Sequence, residues 1–158
     1  MKDILVVGLG NALMADEGVG LAVVRELAQQ AGPDLATDVI ELGTGGLDLV
    51  HALAGRRKAV IVDCALMDEP AGVLRRFTPE SVRSRKAGGG FSPHHGDVLE
   101  TIALARRLGE CPSEVVIFGV QPASVAPGEG LSPALRERLP QYVAAVRAEL
   151  EDAGDPAL

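Results

Sequence analysis

The chain has 158 residues, 47% of them hydrophobic, with three Phe, one Tyr, no Trp and a net charge of −7. That length suits one domain whose core needs neither disulfides nor a structural metal, and the scarcity of aromatics points to a Leu, Val, Ile and Ala core of the kind built around covered parallel strands. An acidic chain without aromatic stacking platforms excludes a nucleic-acid binder, and no run approaches membrane-spanning length.

The run Ile4-Leu5-Val6-Val7 predicts a first strand over about residues 3–8, covered on both faces. It leads into Gly8-Leu9-Gly10 and then to Asp16 and Glu17, at the carboxyl end of the strand, where open α/β sheets place their binding crevices. A dinucleotide fold is the obvious comparison, but Leu13 stands where the fingerprint needs its third glycine, and two carboxylates would repel a pyrophosphate. The structural alternative makes Asp16 the N-cap of a helix over about 17–30 and Glu17 a complement to its dipole. In that helix Val19, Val23, Val24 and Leu27 form an apolar stripe, and Gly32-Pro33 ends it.

Val39 to Leu42 reads as a second strand, the glycine-rich stretch 43–46 as a turn, and Leu47 to Ala54 as a short helix closed by Gly55. Ala59 to Asp63 is a third buried strand, again finishing on a carboxylate, and Gly72 to Thr78 a more exposed one. A polar loop from Pro79 to His95 contains Gly88-Gly89-Gly90 and predicts mobility. After it come a helix over about 96–108, a strand over Val115 to Val120, a Pro/Gly loop through Gly130, and a final helix from about Ser132 to Glu151. No repeat or linker interrupts the series. The expectation is a single α/β domain over residues 1–153, with a disordered tail at 154–158: a three-layer sandwich with a mainly parallel, twisted sheet of about five strands flanked by helices on both faces. The start Met1-Lys2-Asp3 shows no secretory pattern, and Cys64 and Cys111 form no C-x-x-C pair, so reduced thiols and a cytoplasmic location are expected.

Three candidate ligands arise where strands hand over to loops: Glu17, Asp63 and His94. If strands one and three are neighbours, their ends bring the two carboxylates together and the long loop delivers the imidazole. One nitrogen and two oxygens suit a borderline divalent metal such as zinc or nickel with open coordination positions. Each residue also has a structural reading. Asp63 can cap the next turn, and His94 and His95 can be surface residues at a helix entry. Cys64 can be a nucleophile with His94 as its base, although a cysteine continuing an apolar strand suits inert core better. His51 reads as a packing or surface residue. The basic group Arg75, Arg76, Arg83, Arg85 and Lys86 reads as a solvated edge, with docking of an acidic partner as the alternative.

Five blocks, in order, resemble the nickel-iron hydrogenase maturation endopeptidases: Gly8-Leu9-Gly10-Asn11 through Asp16-Glu17-Gly18-Val19-Gly20, Gly43-Thr44 with Gly46, Asp63, Ser92-Pro93-His94, and Gly119-Val120-Gln121-Pro122 followed by Gly130-Leu131-Ser132-Pro133. The resemblance runs from Ile4 to about Glu149. It implies an endopeptidase that removes the C-terminal extension of a hydrogenase large-subunit precursor, with that precursor as its partner and neither nucleic acid nor membrane. It further implies that Glu17, Asp63 and His94 are the catalytic, metal-contacting residues, and that the nickel they read is supplied by the substrate. Asn11, Asp16, Gly43, Thr44 and Gly46 are the substrate-recognition residues of this reading, the glycines because they let a peptide backbone approach closely. Where the family commonly has Asp-Gly before the Gly-Thr turn, this chain has Glu41 and Leu42, which weakens a role for that carboxylate. The competing function is a non-enzymatic nickel-site checkpoint or chaperone for the same precursor.

Overall fold

The computed structural model describes residues 1–32, 35–43, 46–81, 92–93 and 98–153. Its spine is a sheet of five strands in the order β2-β1-β3-β6-β4: β1 (Ile4–Leu9), β2 (Asp38–Leu42), β3 (Lys58–Leu66), β4 (Leu74–Phe77) and β6 (Glu114–Val120). The two-residue β5 (Ser92–Pro93) pairs antiparallel with the far end of β3. β2, β1, β3 and β6 run parallel, and β4 closes the edge antiparallel to β6. The expected architecture is therefore the observed one.

Alternation along the strands explains why helices cover both faces. In β1, Ile4 and Val6 join one apolar core while Leu5, Val7 and Leu9 join the other; in β3, Val60, Val62 and Cys64 oppose Ala59, Ile61 and Ala65. The first core is closed by α1 (Val19–Ala31), through the stripe Val19, Val23, Val24 and Leu27, and by the long last helix. The second is closed by α2 (Gly46–Leu53) and α3 (Val98–Arg107), through Leu49, Val50, Leu53, Val98 and Ile102. The last helix, α4 (Pro133–Ala153), opens on a proline at its first position, where the missing N–H costs nothing. It contributes Leu135, Tyr142, Val143 and Val146 to the first core.

Two features were not expected from the sequence. Between β1 and α1 the chain makes a separate 3-10 turn, Ala15–Gly18, so Glu17 does not lie in the first turn of the α-helix. Lys58, at the start of β3, is buried: its Nζ donates to Glu149 Oε2 at 2.6 Å and lies 3.3 Å from Glu114 Oε2, while Arg76 holds the other oxygen of Glu149. Burial of that lysine is tolerable only because a carboxylate meets it. Arg75 pairs with Glu69, so the two described members of the expected basic group are engaged in ion pairs at the β4 edge. The tail 154–158, and most of the loop expected over 79–95, lie outside the described residues.

Candidate active site

Close backbone approach builds the carboxyl edge of the sheet. A Cβ on Gly20 would sit 2.3 Å from the Val62 carbonyl oxygen and 2.4 Å from that of Leu9, so only glycine lets α1 begin directly over the ends of β1 and β3. A Cβ on Gly10 would meet the Glu17 carbonyl oxygen at 2.2 Å, and the φ of +154° at Gly10 lets the chain double back there. Asn11 then shapes the loop. Its Oδ1 accepts from the Leu13 N–H at 3.0 Å and its carbonyl from the Met14 N–H at 3.1 Å, while its own N–H donates to Glu17. Its side chain therefore has a structural task within the turn, whatever it adds toward a substrate.

Asp16 corrects two expectations. It is not a helix N-cap, since α1 is preceded by Gly18 and no side chain caps it. Nor does it present a carboxylate for recognition: it is fully buried, Oδ2 accepting from the N–H groups of Ala123 (2.8 Å) and Ser124 (3.1 Å) and from Ser132 Oγ (2.8 Å), and Oδ1 from the Ser132 N–H (2.8 Å). One carboxylate thus ties the β1–α1 turn to the β6–α4 loop. The same loop grips the backbone on either side, with Ala15 N–H donating to the Gly128 carbonyl and Asp16 N–H to that of Ser124. Those bonds hold Ala15 at a φ of +49°, a left-handed conformation that costs a non-glycine residue about 1 kcal/mol or more. The residue after this clamped pair is Glu17.

Glu17 and Asp63 are both buried. β1 and β3 are hydrogen-bonded neighbours, with Gly8 opposite Val62, so the condition for bringing the two carboxylates to one place is met. Burial first, then the negative charges of Asp63, Asp16 and Glu17, push the Cys64 thiol far above its ordinary range. A thiol so held is not a nucleophile, and Cys64 packs with Val62 and Val120 in the first core. Asp63 Oδ1 accepts from the Cys64 N–H at 2.8 Å, which orients the carboxylate.

His94, His95 and Thr44 lie outside the described residues, and among the described residues no group of three His, Cys, Asp or Glu side chains is placed to hold a metal ion. Gly43 is exposed, and Gly46 has a φ of +66°, so a backbone requirement at the start of α2 already accounts for the second glycine. Glu41, where the chain departs from the family pattern, is engaged with Arg25 Nε at 2.7 Å and braces β2 against α1. Sequence reasoning gave no role to Gln121 or Ser132 within their blocks. Gln121 Oε1 accepts from the Met67 N–H at 2.7 Å and secures the chain just beyond β3, and Ser132 anchors Asp16.

A doubly wound α/β protein with two buried carboxylates at the carboxyl edge of adjacent parallel strands is of the class that places a reaction centre at that edge. The family model for hydrogenase maturation protease matches residues 21–149, and the chain belongs to that family; it is an endopeptidase. It is 29% identical over 156 residues to the hydrogenase 2 maturation protease of Escherichia coli, covering 98% of this chain and 94% of that one. It is 33% identical over 138 residues to the hydrogenase expression/formation protein HupD of Bradyrhizobium diazoefficiens, covering 86% of this chain and 71% of that one. Among solved structures it superposes on the hydrogenase maturating endopeptidase HybD from E. coli with a TM-score of 0.78 at 28% identity, over 98% of this chain and 94% of that one. The maturation protease HybD from Thermococcus kodakarensis gives 0.75 at 25%, over 95% and 99%.

Proposed function

We propose that the protein removes the C-terminal extension of a nickel-iron hydrogenase large-subunit precursor after nickel has been installed, and that Glu17, Asp63 and His94 read that nickel. The observation that carries the reading is the pair of buried carboxylates toward the carboxyl edge of adjacent strands: Glu17 in the turn after β1, and Asp63 in β3 three residues before its end. Two carboxylate oxygens and one imidazole nitrogen suit a borderline divalent ion that arrives partly coordinated by its own protein. The nickel belongs to the substrate and supplies Lewis acidity where the peptide bond is cut. This chain's part is to complete the coordination, fix the peptide over the sheet edge and admit a water molecule, whose elements end on the new carboxyl and amino termini. Cleavage is then gated by metal, because the ligands of this chain add binding energy only when nickel is present. Free thiols at Cys64 and Cys111 agree with a reducing, cytoplasmic setting; among the described residues no helix is long and apolar enough to cross a membrane.

The test is intact-mass analysis of nickel-loaded precursor incubated with purified protein. Glu17→Gln and Asp63→Asn keep side-chain shape and lose the anionic oxygen, so each is expected to lower the cleavage rate by about 100-fold or more at unchanged circular dichroism. Near-normal cleavage by either folded variant removes that residue from the site. His94→Ala is expected to be inactive and His95→Ala active, nickel-free precursor to stay uncut, and the rate to fall as pH drops through about 6.5, because only neutral imidazole donates to a metal. An active His94→Ala, or efficient cutting of nickel-free precursor, refutes the assignment.

A further inference from the structure

Five large apolar side chains are exposed among the described residues: Met1, Leu13, Leu47, Leu66 and Leu108. Single exposed leucines are ordinary, whereas apolar residues gathered on one face mark an interaction surface. Topology sorts these five. Leu13 (63% exposed) follows β1, Leu47 (66%) follows β2 and Leu66 (49%) ends β3, and these three strands are parallel neighbours, so all three leucines stand on the carboxyl edge that carries Glu17 and Asp63. Met1 precedes β1 and Leu108 precedes β6, at the opposite edge.

Beneath Leu13 lies a cleft of about 290 Å³ walled by Ala12, Leu13, Ala15, Leu21, Ala22 and Leu131. Pockets for drug-sized ligands run from about 300 to 1,000 Å³, so this one suits a side chain better than a free small molecule. Ala15 and Gly18 both line it and bracket Glu17 in sequence, which places it against the turn that carries the candidate ligand. Two charged residues also line it: Arg25, whose charge is met by Glu41, and Glu129. The two carboxylates are buried, so a protein substrate reaches them only by lying across this edge.

We infer that Leu13, Leu47 and Leu66 form an apolar rim on which the folded precursor seats, with one apolar side chain of the precursor entering the cleft beneath Leu13. The inference rests on the proposed activity for the identity of the occupant, and it adds the residues that select it. Exclusion of water by the rim accounts for why leucines stand at an edge where solubility favours polar residues.

The experiment measures KM and kcat with nickel-loaded precursor, and in parallel the equilibrium affinity of the precursor, for Leu13→Ser, Leu47→Ser, Leu66→Ser, the triple variant, Ala22→Phe and Leu108→Ser. Serine introduces no charge beside the carboxylates, and exposed sites tolerate it, as thermal unfolding verifies. Each rim variant is expected to raise KM by about tenfold with kcat within about twofold, the triple variant to lose saturable binding, and Ala22→Phe to raise KM by filling the cleft. Leu108→Ser, 56% exposed in the wild type but on the far edge, is expected to match wild type. Wild-type KM and affinity in the triple variant, or an equal loss in Leu108→Ser, overturns the rim. A wild-type protein that binds precursor but does not cut it refutes the proposed activity and leaves the rim to be judged on affinity; one that neither binds nor cuts overturns both.

Discussion

Asp16 and Glu17 are adjacent acidic residues with opposite tasks. Asp16 is consumed by four hydrogen bonds to Ala123, Ser124 and Ser132, and Glu17 is left at the sheet edge. Asp16→Asn substitutes an amide whose NH₂ opposes donors, so it is expected to lower the unfolding free energy by about 3 kcal/mol; an unchanged urea midpoint shows that the tie carries no stability. Cys64→Ala is expected to cost about 1–2 kcal/mol through lost packing while cleavage persists, since the thiol is held protonated by burial and by three neighbouring carboxylates. Loss of activity on alkylation of Cys64 in the folded protein contradicts that. That Glu17 and Asp63 fall toward the carboxyl edge was legible in the sequence, because each follows a buried aliphatic run; that β3 does not stop at Asp63 but continues through Cys64 and Ala65 to Leu66 was not, because its last residues pair with β6 and β5, which are remote in sequence. The partners of Asp16 were not, because they lie more than 100 residues away and no local pattern encodes such a bond.

At the level of elements, consecutive aliphatics revealed β1, β3 and β6, and a 3.6-residue stripe revealed α1. The adjacency of β1 and β3 could only be posed as a condition, since pairing order is a property of the whole sheet. The 3-10 turn was invisible because its cause, grip by the 124–128 backbone, is again remote. α4 contains an element-level anomaly. Pro140 sits exposed within the helix and cannot donate to the Arg136 carbonyl. Pro140→Ala restores a donor and is expected to raise stability by up to about 3 kcal/mol, read as a higher thermal midpoint with full cleavage activity; a lower midpoint means the proline sets a bend that packing requires.

For the molecule as a whole, Glu149 joins α4 to the start of β3 and to β4. Its hydrogen bond from Arg76, then that from Lys58, hold its pKa below the ordinary value of 4.5. A carboxyl depressed on folding binds protons more readily when unfolded. Its contribution is therefore complete above about pH 4.5 and is lost as pH falls through the lower folded value. The thermal midpoint is expected to drop as pH falls below about 4.5, and Glu149→Gln to be less stable at neutral pH with a shallower acid decline; an equally steep decline in that variant assigns the acid sensitivity elsewhere.

The tie between Asp16 and the 123–132 loop also bears on the order of synthesis. The ribosome emits Glu17 and Asp63 early and Ser132 late, and domains complete folding only as their distant segments emerge. A nascent chain that has not reached residue 123 carries both carboxylates but none of the four donors that clamp the turn before Glu17. The acidic pair is made first and set last, so an unfinished chain is a protease in composition only, and the activity arrives with the final crossover.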